Sequence, residues 1–289
     1  MRPDAPRPAR VESRDISELR ALRATHPELA PAIDLQLELC ELQRRLQARV
    51  PTPLAPLSAA AVSARLQAGQ RLLELSEVSF ELADVRLSVR QTADALRRHD
   101  ILDVEDHRRI VDLARQDDRF GAMIGAWYAE SAVAPAGRPA LAAHRADFPL
   151  ALDQVLTLAL RPFLARAADA VLPGAPLDTW QRPWCPLCGG EPDFAVVTAD
   201  GRRLLTCSRC GTRWDWDVVA CPWCEMRDPA QLVTFGSTDR RYRVYACNQC
   251  RRYLKAYDGR GASRPALPVV DAIVTLPLDA AAIQHGYGG

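Results

Sequence analysis

A chain of 289 residues is long for one small core and suggests about two domains. Its 37 basic residues against 36 acidic ones and 48% hydrophobic content are those of a globular protein, and a net charge of +1 argues against a chain devoted to nucleic acid or another polyanion. No apolar run approaches the roughly 18 to 20 residues that cross a bilayer, and Met1-Arg2-Pro3-Asp4 leads into charged sequence, so a cytoplasmic protein without membrane insertion is expected.

The first part of the chain carries a helical pattern. Leu35, Leu39, Leu42 and Leu46 recur at helical spacing and predict one core-facing face. The stretches Leu66 to Leu87 and Val104 to Ala114, rich in Ala, Leu, Arg and Glu and free of Pro, predict further helices. Breaks at Pro51-Thr52-Pro53, Asp100 and Pro135 to Pro139 separate them. A second stripe, Phe148, Leu152, Val155, Leu156, Ala159 and Phe163, suits a helix with Pro149 in its first turn, while Pro162 predicts a kink or break near its far end. A bundle of about six helices or more is expected. Pro173, Gly174, Pro176 and Pro183 then mark a linker.

Cysteine divides the chain at this point, because residues 1 to 184 contain only Cys40 and residues 185 to 250 contain the other eight. They form four C-x2-C pairs: Cys185/Cys188, Cys207/Cys210, Cys221/Cys224 and Cys247/Cys250. Cys185-Pro186-Leu187-Cys188 answers Cys221-Pro222-Trp223-Cys224, and each half closes with a second pair preceded by a strand-like segment, so the region reads as two copies of one module. A C-x2-C turn aims two thiolates at one point, and two such turns complete a tetrahedral shell. Sequential pairing puts Cys185, Cys188, Cys207 and Cys210 on one ion and Cys221, Cys224, Cys247 and Cys250 on another; a crossed pairing of the inner pairs stays open. A thiol redox motif is the rival reading of Cys185-Pro186-Leu187-Cys188, but Gly189-Gly190 and Pro192 make a poor helix start after it.

Around these pairs, Phe194 to Thr198, Arg203 to Thr206, Leu232 to Phe235 and Tyr242 to Tyr245 predict strands of small sheets. Pro268 to Leu278 predicts a last strand-like segment followed by a short helix. Arg209, Arg213, Arg251 and Arg252 sit in or just after the second knuckles, where they compensate thiolate charge or, with Trp223, meet a partner. Trp214, Trp216, Trp223 and Tyr253 cluster around the knuckles, placed to shield sulfur. His26, His99, His107, His144 and His285 lack ligand spacing, and Cys40 reads as a small hydrophobe. No catalytic set of side chains stands out, so a protein that is not an enzyme is expected. An iron electron-transfer or redox-sensing protein and a zinc-ribbon nucleic-acid binder are the alternatives that the cysteines admit.

Trp184-Cys185-Pro186-Leu187-Cys188-Gly189-Gly190, Leu204 to Trp214, Cys221-Pro222-Trp223-Cys224 and Cys247-Asn248-Gln249-Cys250 together resemble the formate dehydrogenase accessory protein family, FdhE. The resemblance extends to Arg20-Ala21-Leu22 through His26-Pro27 to Gln43, to Leu160 through Gly174, and to Leu278-Asp279 and Gly286-Tyr287. It implies an α+β, two-part fold: an all-α helical domain over 1–175, rubredoxin-like or zinc-ribbon-like modules over 176–218 and 219–262, and a tail over 263–289 packed on the modules. It further implies two metal ions, iron favoured and zinc possible, in a cytoplasmic maturation factor that binds the immature catalytic subunit of formate dehydrogenase.

Overall fold

The computed structural model describes residues 13–51, 57–130 and 150–288. The expectations at Met1 to Asp4, Thr52-Pro53, Pro135 to Pro139, His144, Phe148 and Pro149 lie outside the described residues.

Helices α1 (Arg14–Thr25), α2 (Ala30–Gln47), α3 (Ala59–Gln67), α4 (Leu82–Arg98), α5 (Val104–Leu113), α6 (Asp117–Glu130) and α7 (Leu150–Val171) build the N-terminal part. Ser58 and Asp103 cap α3 and α5 by accepting backbone N–H groups of the first turn. Asp100, at φ 57°, lets the chain reverse after α4. Leu39, Leu42 and Leu46 of α2 and Leu152, Val155, Leu156, Ala159 and Phe163 of α7 are buried, so both stripes face the core.

Pro162 does not break α7, which runs unbroken from Leu150 to Val171. Proline removes the N–H that would reach the carbonyl of Leu158, and Gln43 of α2 supplies a substitute donor at 3.0 Å. Ser88 of α4 likewise donates to the carbonyl of Ala159 at 2.7 Å. Gln43 thus bonds to α7 where its own ladder is interrupted, and Ser88 adds a bond one residue on.

The predicted helix from Leu66 to Leu87 is not formed as one element. Helix α3 stops at Gln67, Gly69 turns the chain at φ +65°, and residues up to Glu81 form a connection before α4. Leu72 and Leu73 are buried there, against the cysteine region instead of a helical core face.

Strands β1 (Pro192–Val197), β2 (Arg203–Cys207), β3 (Arg213–Trp216), β4 (Leu232–Gly236), β5 (Tyr242–Cys247) and β6 (Tyr253–Asp258) follow. Each module contributes an antiparallel meander of three strands. Instead of remaining two small sheets, they join through a parallel β1–β6 pairing, Phe194 opposite Lys255, into one sheet of order β3-β2-β1-β6-β5-β4. Its buried residues are continuous with the helical core: one apolar cluster runs from Val62 through Phe163 and Trp180 to Trp214 and Leu254. The proline-rich segment after α7 therefore carries a buried anchor, Trp180, whose Nε1 donates to the Trp184 carbonyl at 2.8 Å.

The strand expected near Pro268 is helical. Helices α8 (Pro268–Val274) and α9 (Leu276–Gln284) each take a proline in their first turn, where no N–H is needed, and Asp271 accepts the N–H of Leu267 at 2.7 Å. Val270 packs with Leu19 and Ile33, while Asp279 accepts from Tyr253 at 2.7 Å and Lys255 at 2.5 Å, so the tail joins the first helices to the sheet.

Candidate metal centres

All four C-x2-C turns have the same backbone. In each, the first cysteine donates its N–H to the carbonyl five residues on: Cys185 to Gly190, Cys207 to Thr212, Cys221 to Met226 and Cys247 to Arg252, each at 2.9 Å. Its carbonyl in turn accepts from the residue four on, which is Gly189, Gly211, Glu225 or Arg251. That residue has positive φ every time: 75°, 74°, 56° and 59°. The first module meets this requirement with glycine and the second with Glu225 and Arg251.

The turns bring the thiols together in the sequential pairing, not the crossed one. Cys185, Cys188, Cys207 and Cys210 converge, as do Cys221, Cys224, Cys247 and Cys250, each quartet with its sulfurs within 4.8 Å of one another. Cys185–Cys210, Cys188–Cys207 and Cys188–Cys210 stand 3.5 Å apart, and Cys221–Cys250 and Cys224–Cys247 stand 3.7 and 3.6 Å apart. Disulfides would need about 2.05 Å. A tetrahedron of sulfurs about 2.3 Å from a central ion has edges of about 3.8 Å, so each quartet can hold one metal ion in a closed shell. The N–H of Arg209 donates to Cys207 Sγ at 3.4 Å, and Thr212 Oγ1 lies 3.0 Å from Cys210 Sγ, contacts suited to thiolate charge.

The two centres differ in burial. Cys185, Cys188 and Cys207 are wholly buried and Cys210 nearly so, whereas Cys224 and Cys250 are half-buried. Burial and the surrounding thiols push the Cys185 thiol up, and burial, followed by the charge of Cys188, raises Tyr128 beside it. In the second quartet the hydrogen bond shared with Cys250 lowers the Cys221 thiol to about 5, while burial raises Cys224 to about 11. Both sets are tightly coupled, and a metal ion that takes all four thiolates must displace the remaining protons.

The helical part forms one wall of the first centre. Leu72 and Leu73 donate their N–H groups to the carbonyls of Pro186 and Leu187 at 2.8 and 2.9 Å. Tyr128 donates to the Leu73 carbonyl at 2.7 Å, and the Arg209 guanidinium lies 3.6 Å over the Trp127 ring. None of Leu72, Leu73, Trp127 or Tyr128 stood out in the sequence as belonging to this site; Gly69, inside the expected helix, was the available signal.

Of the side chains expected to meet a partner, Arg209 is buried, and burial lowers its pKa against the opposing pull of Cys188 and Cys207. That placement supports its charge-compensating role and removes it from the surface. Trp223 is buried under Arg252, which lies 4.5 Å over its ring and pairs with Glu191 at 2.9 Å. Arg213 and Arg251 are exposed, the latter 4.3 Å over Tyr287 with an Nη2 bond to the His285 carbonyl at 2.6 Å. Cys40 is half-buried with Gln36 Nε2 at 3.4 Å from its sulfur, and His26, His99 and His107 pair with Glu28, Glu38 and Asp94.

Residues 184–217 match the model of the FdhE central domain. Protein FdhE of Escherichia coli (strain K12) is 32% identical over 111 residues, which are 37% of this chain and 35% of that protein. The FdhE homolog of Aquifex aeolicus (strain VF5) is 32% identical over 133 residues, 44% of this chain and 46% of that protein. Over these stretches the chain is similar to FdhE proteins. The aligned region spans between a third and a half of the length of these FdhE relatives. The crystal structure of the FdhE protein from Pseudomonas aeruginosa has the same fold, with a TM-score of 0.60 at 22% identity, covering 96% of this chain and 94% of that one. No helix among the described residues is long and apolar enough to cross a membrane.

Proposed function

We propose that this chain is an accessory protein needed to make active formate dehydrogenase, and that it binds the immature catalytic subunit in the cytoplasm without catalysing a reaction. The observation that carries the reading is the pair of closed four-sulfur quartets in a chain similar to FdhE proteins. A shell of four thiolates leaves no open coordination position for a substrate, so an ion held there shapes the protein instead of reacting. Iron is the proposed ion in both centres, following the family, and zinc fits the same shell. When bound, the ion cross-links two turns of each module and neutralises part of the thiolate charge.

This chain's own residues do the rest. Arg209 and Thr212 bond around the first quartet, Leu72 and Leu73 fix it to the helices, and α9 holds the second module through Asp279. The result is a continuous surface of helices and sheet. Arg213 and Arg251, the exposed members of the set, are proposed to meet the client there, with Trp223, Arg252 and Arg209 supporting the surface from beneath.

The test is capture of the dehydrogenase catalytic subunit by the tagged chain, paired with deletion of its gene. The reading requires capture, and loss of dehydrogenase activity while the subunit's polypeptide persists. Full activity in the deletion strain contradicts it. The half-buried Cys224 and Cys250 favour a second reading, electron transfer at the second centre, which requires an iron spectrum that dithionite bleaches reversibly.

A further inference from the structure

Strand β4 ends the sheet, with β5 as its single strand neighbour. Ser237 donates to the Tyr242 carbonyl at 3.0 Å and Asn248 to the Gln231 carbonyl at 2.8 Å, and these bonds bracket the β4–β5 ladder. Hydrogen-bonded pairs in an antiparallel ladder alternate, so Val233 and Phe235 turn their backbone groups toward β5. Leu232, Thr234 and Gly236 turn theirs outward; the Leu232 N–H is taken by the Pro229 carbonyl, while among the described residues none takes up the N–H and carbonyl of Thr234 and Gly236. At the other end of the sheet, β3 is covered by the turn over Leu177–Thr179.

Natural sheet edges are usually blunted by charge, proline or a covering element. The sequence Leu232-Val233-Thr234-Phe235-Gly236 has neither charge nor proline. Beside it opens a cleft of about 730 Å³, partly open to solvent, whose walls include Val218, Val219, Pro222, Trp223 and Tyr245. Val218, Val219 and Val233 are 40%, 57% and 38% exposed, so large apolar side chains gather in solvent at one place.

Free amides and carbonyls at strand spacing recognise another extended backbone, and an apolar cleft alongside recognises its alternate side chains. We propose that β4 is a docking edge for an extended, apolar peptide segment of a partner protein, which adds a seventh strand to the six-stranded sheet and seats its side chains against Val219 and Tyr245. The N–H and carbonyl of Thr234, with the carbonyl of Leu232, hold the backbone. The assignment is independent of the client's identity and stands or falls separately from the dehydrogenase reading.

The probe is a fluorescein-labelled octapeptide of alternating valine and threonine with a lysine at each end, titrated by anisotropy into the full, metal-loaded chain. Thr234→Pro removes one outward N–H at an edge position that tolerates proline, and Val219→Asp charges the cleft at an exposed site. Saturable binding is expected, weakened at least about tenfold by either substitution and by N-methylating alternate residues of the peptide, with metal content unchanged. No binding at about 1 mM, or equal binding by Thr234→Pro or by the N-methylated peptide, overturns the proposal. A chain that dimerises in sedimentation, and ceases to with Thr234→Pro, assigns the edge to a second copy and overturns it as well. Should either variant lose metal, Val219→Thr and the N-methylated peptide decide the matter on an intact fold.

Discussion

Leu72 and Pro186 are joined by a backbone hydrogen bond of 2.8 Å, and through it the helical part of the chain grips the first C-x2-C turn. Leu73 repeats the bond at Leu187, and Tyr128 bonds the carbonyl of Leu73 from α6. A bare metal module would be a separate folding unit; one bonded in this way shares its stability with the bundle.

Unfolding of the metal-loaded chain should therefore be one transition, seen alike by far-ultraviolet circular dichroism, which weights the helices, and by thiolate-to-metal absorption. Arg209→Ala, which removes a desolvated guanidinium over Trp127, should lower stability by about 2 to 3 kcal/mol in both signals. A shift in the absorption alone would show that the two parts unfold separately.

The difference in burial predicts an order of metal loss. Under a chelator the second centre, with half-buried Cys224 and Cys250, should empty first and the first centre later, as two kinetic phases. Cys250→Ser should abolish the fast phase and Cys188→Ser the slow one; the reverse assignment would contradict the burial argument.

Backbone geometry makes the second module the less well suited of the two. Glu225, exposed and held at φ 56°, should be replaceable by glycine with a gain of up to about 1 kcal/mol, read as a higher midpoint for loss of the second centre. Gly211→Ala, where a Cβ meets no atom but φ is +74°, should cost about 1 to 2 kcal/mol. Gly190→Ala should be worse, because its Cβ would come within 2.9 Å of Cys207 Sγ and 3.0 Å of the Arg209 side chain.

The cysteine pairs were the most legible part of the sequence because a C-x2-C turn is a local device: its spacing alone aims both sulfurs, while the choice of sequential over crossed pairing waited on the fold. The leucine stripes of α2 and α7 were legible for the same reason. What escaped was decided by contacts distant in sequence. The composition of Leu66 to Leu87 suits a helix, yet Leu72 and Leu73 are committed to the first knuckle. Pro162 looks like a break until Gln43, far away in the chain, bonds to the freed carbonyl. The β1–β6 pairing is parallel and long-range, and no short pattern signals which strand edges will meet. Pro268 to Leu278 reads as a strand-like segment, but Pro268 and Pro277 start helices whose apolar faces are needed by β5 and α1.

Acid should release the ions. A metal-bound thiolate is held ionised in the folded protein, so its contribution is present at high pH and lost as protons compete. Since the metal-free Cys185 thiol is raised above its ordinary value by burial and its neighbours, proton release on loading continues past about pH 9, and affinity should rise with pH across the neutral range. Competition with a chelator at pH 6, 7 and 8 measures this, and a flat or inverted dependence would rule out ligation by four thiolates.

The most direct test is metal analysis of the full chain purified without oxygen, with an absorption spectrum of the same sample. The two quartets predict two ions per chain, with iron and its thiolate charge-transfer bands for the proposed family role, and a fall to one ion when Cys188 or Cys250 is replaced by serine. A fully folded chain that holds no metal, or that keeps both ions after either substitution, would contradict the account.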